Sequence, residues 1–135
     1  MTTKEQKSLV LKTFNKELTQ FLDELTNVIS DNTDIKQGKR SHKMMSKLNP
    51  SMIIKSWQIY VNDLYYDQIM SSDLDFFLNK DYTQDMENLG SKESLDFISK
   101  IKTPVKNLDE KNKQTAFNYI QNLCKLADAY NQLSN

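Results

Sequence analysis

The sequence predicts an all-α protein, a compact helical bundle with about four longer helices and one to three short ones. Apolar residues recur at three- and four-residue steps along most of the chain, the signature of amphipathic helices. No Asn-Gly or Asp-Gly hairpin and no sustained two-residue alternation argues for strands. Pro50, Pro104 and Gly90 stand as punctuation between the periodic stretches, while Gly38 falls inside one.

With 135 residues the chain is long enough for one domain with its own core. Residues 1–135 read as one helical domain, with fraying expected at 1–3 and 132–135. Six Phe, six Tyr and one Trp supply enough aromatic area to argue against disorder throughout. Lys+Arg and Asp+Glu are both 18, a balance that argues against a whole-protein nucleic-acid coat but leaves a local basic face open. Cys124 is the only cysteine, so no intrachain disulfide or thiolate metal cluster can form, and a reducing compartment fits. No transmembrane segment is expected, because no apolar window approaches spanning length. The first residues, MTTKEQKS, lack the apolar run of a secretion signal. A cytoplasmic protein is the simplest expectation.

The first helix is predicted from about Lys4 to Val28 or Ile29. Leu11, Phe14, Leu18, Phe21, Leu22, Leu25 and Val28 form its apolar stripe, and Thr3 with Gln6 resembles a capping box. The polar connector at 30–34 can cap a second helix, Ile35 to Leu48, through Thr33 or Asp34. Its apolar side is thin: Ile35, Met45 and Leu48. Asn49-Pro50 then marks a new start, with Asn49 as cap and Pro50 at the first helical position, where no donor is needed.

The helix that follows is the expected centre of the fold. Ile53, Ile54, Trp57, Tyr60, Val61 and Leu64 recur at helical spacing, and Trp57 is the only tryptophan. Ser72 with Asp75 can cap LDFFL at 74–78, where Leu74, Phe77 and Leu78 share a side and Phe76 leans elsewhere. A short helix over 79–91, anchored by Tyr82, Met86 and Leu89, would end at Gly90. Ser91 would cap another through Lys102; Thr103-Pro104 would stop it and can start a new one. The last long helix starts between Pro104 and Asp109 and runs to about Tyr130, with Phe117, Ile120, Leu123, Cys124 and Ala127 on one face. The expected core anchors are Phe14, Phe21, Ile53, Trp57, Leu64, Phe117 and Leu123.

Familiar catalytic patterns are missing from the sequence. Gly38-Lys39-Arg40 lacks the further glycines and hydroxyl residue of a phosphate loop. His42 is the sole histidine, so no two-histidine metal motif exists within one chain. A Cys124–His42 pair needs two helices to bring it together and an electropositive opening, whereas an inert buried cysteine needs neither. Asp63 and Asp67 can share a helix face, but a divalent cation needs several converging oxygens. No catalytic, metal or cofactor-binding residue is assigned.

The basic stretch has more content. Lys36, Lys39, Arg40, Lys43 and Lys47 lie on one side of the second helix, and no acid interrupts Ile35 to Asn49. That face suits phosphate contacts with DNA or RNA, an acidic protein surface or anionic lipid head groups; a plain solvated face is the bland alternative. From Asp63 to Asp96 acids predominate, opposed only by Lys80 and Lys92. Such asymmetry suits oriented self-association, with Tyr66, Phe76 and Tyr82 as candidate interface residues.

Three pieces, FNKELTQFLDEL at 14–25, LNPSMIIKSWQIYV at 48–61 and DLDFFLNKDY at 73–82, together resemble a small helical protein group of the nucleocytoplasmic large DNA viruses, the giant viruses of amoebae and algae. The resemblance covers roughly residues 10–90 and brings no catalytic residues with it. It implies a host-cytoplasmic or virion setting. The resulting expectation is a non-enzymatic structural or protein-interaction protein, self-associating and virus-associated. The alternative is a DNA- or RNA-associated protein that uses the basic helix at 36–47 on phosphates.

Overall fold

The computed structural model describes residues 2–29, 31–71, 74–80, 100 and 102–134. These residues are predominantly helical with no strands, as the periodicity predicts. The elements are α1 (Thr3–Val28), α2 (Thr33–Leu48), α3 (Met52–Trp57), a π-helical turn (Gln58–Asn62), α4 (Asp63–Met70), α5 (Leu74–Asn79) and α6 (Glu110–Leu133). A further helical turn covers 102–106. The expected helices over 79–91 and from Ser91, and the Ser72 cap, lie outside the described residues in whole or in large part.

Helix starts follow the strongest available cap. The cap of α1 is Thr2, one residue before the expected Thr3. Its hydroxyl accepts from the Glu5 N–H at 3.1 Å and donates to Glu5 Oε1 at 3.0 Å. A carboxylate closes this box and favours the positive helix end, which the neutral Gln6 does not. Asn32, not Thr33 or Asp34, caps α2 by accepting from the Ile35 N–H at 3.0 Å. Asp34 then falls in the first turn, where its charge complements the helix dipole. Asp109 caps α6 by accepting from the Asn112 N–H at 2.8 Å.

Two boundary expectations need correction. Asn49-Pro50 does not open α3. Asn49 ends α2, its N–H bonding to the Met45 carbonyl, and Ser51 precedes the first residue of α3. The Pro50 carbonyl accepts instead from Asn15 Nδ2 at 3.0 Å, tying the corner to α1. Thr103-Pro104 does not mark a break at Lys102 either, since both residues lie inside the helical turn at 102–106. The break comes after it, where the Asn107 N–H closes the turn onto the Thr103 and Pro104 carbonyls.

The core lies where α1, α6 and the rod formed by α3, the π-turn and α4 meet; α2 packs on α1 and α3, and α5 on α4. Phe14, Phe21, Trp57, Phe117 and Leu123 are buried as expected. Phe14 meets Trp57 edge-on at 5.9 Å, and Phe77 meets Phe117 at 5.7 Å. Burying each such side chain contributes about 1.5–3 kcal/mol relative to leaving it in water. Ile53 is only half-buried, and Ile54 takes the enclosed position beside it.

Leu64 is the anchor that the structure overturns: 41% of it is exposed. The π-turn is the reason. The Asp63 N–H reaches back five residues to the Gln58 carbonyl, so this turn holds one residue more than an α-turn. One extra residue retards everything after it by roughly 100°. In an uninterrupted helix Leu64 would lie about 20° from Trp57 and Ile69 about 120° away. The delay exchanges them. Ile69 is 2% exposed and Tyr65 6%, while Leu64 turns to water.

Polar side chains brace the wide turn. Gln58 Oε1 accepts from Asn62 Nδ2 at 3.0 Å, and Gln58 Nε2 donates to Asp63 Oδ1 at 3.0 Å. Asn62, itself buried, also donates to the Cys124 carbonyl at 2.8 Å. Two turns further along the rod, Gln121 Nε2 donates to the Ile69 carbonyl at 2.9 Å. These bonds fix the rod against α6.

Candidate interaction surface on α2

Only Ile35 and His42 of α2 are buried. Both lie toward α1, together with the half-buried Gly38 and Ser46. His42 is therefore a packed residue and not a surface or half-exposed one. Its Nε2 lies 3.0 Å from Thr19 Oγ1 and 3.2 Å from the Asn15 carbonyl, both on α1. The carbonyl can only accept, which assigns the ring proton to Nε2 and leaves Nδ1 to accept from Ser46 Oγ at 3.4 Å. Burial holds this imidazole below its ordinary value of 6.5, against the opposing hydrogen bond to Asn15. A neutral histidine pins the inner side of a basic helix.

With that side fixed, helix geometry sets the rest. Lys36, Lys39, Arg40, Lys43 and Lys47 fall within an arc of roughly 100° and all are exposed, as the spacing predicts. Lys39, nearest the α1 side, bridges Asp23 at 2.8 Å. Both partners are about half exposed, so the bridge contributes at most about 1 kcal/mol. Lys36, Arg40, Lys43 and Lys47 have no acidic partner among the described residues. Beside this stripe, away from α1, stand Met44, 61% exposed, and Leu48, 73% exposed. Leu48 was expected on the apolar side with Ile35. Thirteen residues put them roughly 140° apart, too far to share one face. The outer surface of α2 is thus a cationic stripe edged by two bare apolar side chains.

The other candidate interface residues are divided. Tyr66 is half-buried against the core, and burial, aided by the nearby Asp128 and Asp67, pushes its phenol upward. Phe76 is also half-buried against the core, its ring 6.5 Å from that of Tyr65. Tyr82 lies outside the described residues. Periodicity missed a second surface, where the π-turn and α4 present Ile59, 52% exposed, with Leu64 and the exposed Asp63 and Asp67.

The groups that catalysis would recruit are committed to packing. Cys124 is buried and accepts from Trp57 Nε1 at 3.4 Å, and burial pushes its thiol up to about 12. It shares no partner with His42, so the conceivable pair is not assembled. Tyr119 stacks on Phe21 at 5.2 Å and donates to Glu24 Oε1 at 3.0 Å; burial, then that carboxylate, pushes its phenol up to about 12. The cleft beside it, between α1 and the start of α6, encloses about 20 Å³, room for roughly one water. No group of three or more metal-ligating side chains occurs among the described residues. No helix among them is long and apolar enough to cross a membrane.

No protein-family model, curated protein or solved structure matches the chain.

Proposed function

We propose that this is a non-enzymatic interaction protein that docks through the outer surface of α2 onto an acidic protein surface. One observation carries the reading: a packed His42 orients an exposed basic stripe whose unpaired cations lie beside the bare Met44 and Leu48. Charge steers and orients such a contact, and the apolar pair supplies area to exclude water from it. The commitment of Cys124 and His42 to the interior supports a binding role over a catalytic one. Combined with the resemblance of 14–25, 48–61 and 73–82 to the giant-virus group, the reading puts the contact in the host cytoplasm or the virion.

A nucleic-acid role is the second reading, favoured by the three- and four-residue spacing of the cations along one exposed side. Polyglutamate and short duplex DNA or RNA separate the two. The first reading predicts salt-sensitive retention on immobilised polyglutamate, lost in Arg40→Glu/Lys43→Glu, with no matching affinity for nucleic acid. Tighter binding to duplexes, with a steep salt slope, would replace it by the second.

A further inference from the structure

We infer that the partner of the α2 surface is a second copy of this chain, seated through the face that the π-turn exposes at Ile59, Asp63, Leu64 and Asp67. This rests on the reading of α2 as a docking surface and names its occupant.

The two faces are opposites in charge and alike in design. On α2, Arg40, Lys43 and Lys47 accompany the bare Met44 and Leu48. On the rod, Asp63 and Asp67, one turn apart, accompany the bare Ile59 and Leu64. All these charged side chains are exposed. Asp63 accepts a hydrogen bond from the neutral Gln58 and has no cationic partner among the described residues. A regular helix would direct Leu64 toward the core. The π-turn directs it outward beside two carboxylates, and π-turns inside α-helices are frequent at functional sites. If two copies form both contacts, the α2 of each on the rod of the other, the result is a closed two-fold pair. Apolar pairs would sit centrally, with the ion pairs around them setting register.

Charge reversal with rescue by mixing tests this, using light scattering after gel filtration of the intact chain. Wild type should exceed the 15.8 kDa of one chain at low salt and return toward it by about 0.5 M salt, where exposed charges are screened within a few ångströms. Arg40→Glu/Lys43→Glu and Asp63→Lys/Asp67→Lys should each weaken association at least about tenfold. An equimolar mixture should restore it, because each altered face then meets its opposite. Leu64→Ser, which changes no charge, should also weaken it. Circular dichroism confirms that each variant folds, and Arg40→Gln/Lys43→Gln replaces a reversal that does not. A wild type that stays monomeric, or a mixture that stays dissociated, overturns the inference. Polyglutamate retention by such a monomer would leave the α2 reading standing, whereas loss of both would remove the two together.

Discussion

Replacing Leu64 and Ile69 separately with alanine measures the phase change in the rod. Ile69 is 2% exposed, and removing a buried isoleucine down to Cβ costs about 2–5 kcal/mol, including the cavity left behind. Leu64, 41% exposed, already has much of its side chain in water, so the same truncation should cost about 1 kcal/mol. The expected difference is about 2 kcal/mol. With a urea dependence of about 1–2 kcal/mol per molar, the midpoints should separate by about 1–2 M. Urea unfolding followed by Trp57 fluorescence reads this directly. Dilute protein in moderate salt keeps association from contributing. An uninterrupted helix requires the reverse order, because it puts Leu64 under Trp57 and Ile69 to one side. A larger loss for Leu64→Ala than for Ile69→Ala would mean that Leu64, and not Ile69, faces the core.

Other perturbations address separate parts of the structure. Deleting the exposed Ile59 should return the wide turn to α spacing and leave Tyr65 and Ile69 in phase, so thermal melts should retain a cooperative helical transition. Deleting the exposed Gln20 from the regular α1 should abolish it. His42 is held neutral by burial, so the unfolded chain binds a proton first as pH falls. The stability it contributes is present above its ordinary value of 6.5 and declines as pH drops below it. His42→Gln should flatten that stretch of the urea midpoint against pH. Cys124 should react with a thiol reagent only at the rate of unfolding, being buried with its thiol raised to about 12. Rapid labelling of the native chain would contradict its packing under Trp57.

Most of the helical layout is legible in the sequence because amphipathic spacing and packing agree. The α1 stripe and the inner face of α6 are apolar at regular steps, and both bury, except at the ends of the α1 stripe, where Leu11 is half-buried and Val28 is 46% exposed. Basic residues on α2 are likewise legible, since their spacing alone confines them to one side. The rod is harder. Regular spacing from Trp57 offers Val61, Leu64 and Gln68, whose last member is polar. The stripe actually buried, Trp57, Val61, Tyr65 and Ile69, runs in successive fours. Each such step overshoots a full turn by about 40°, so only an underwound helix keeps these residues aligned. That signal exists in the chain, but Leu64 supplies a competing apolar stripe that conceals it. His42 and Asn62 escape for a different reason. Their burial depends on partners more than twenty residues away, Thr19 and Cys124, which local spacing cannot reveal.

The most direct measurement of the docking claim is a disulfide trap between copies. Chains carrying Leu64→Cys are mixed with chains carrying Met44→Cys or Leu48→Cys, then oxidised mildly at low salt, with buried Cys124 as a silent background. Docking of α2 on the rod should give mixed disulfide pairs well above the yield of either chain alone, suppressed by high salt. Yields no greater than those of chains carrying Lys12→Cys, an exposed position on α1, would contradict it.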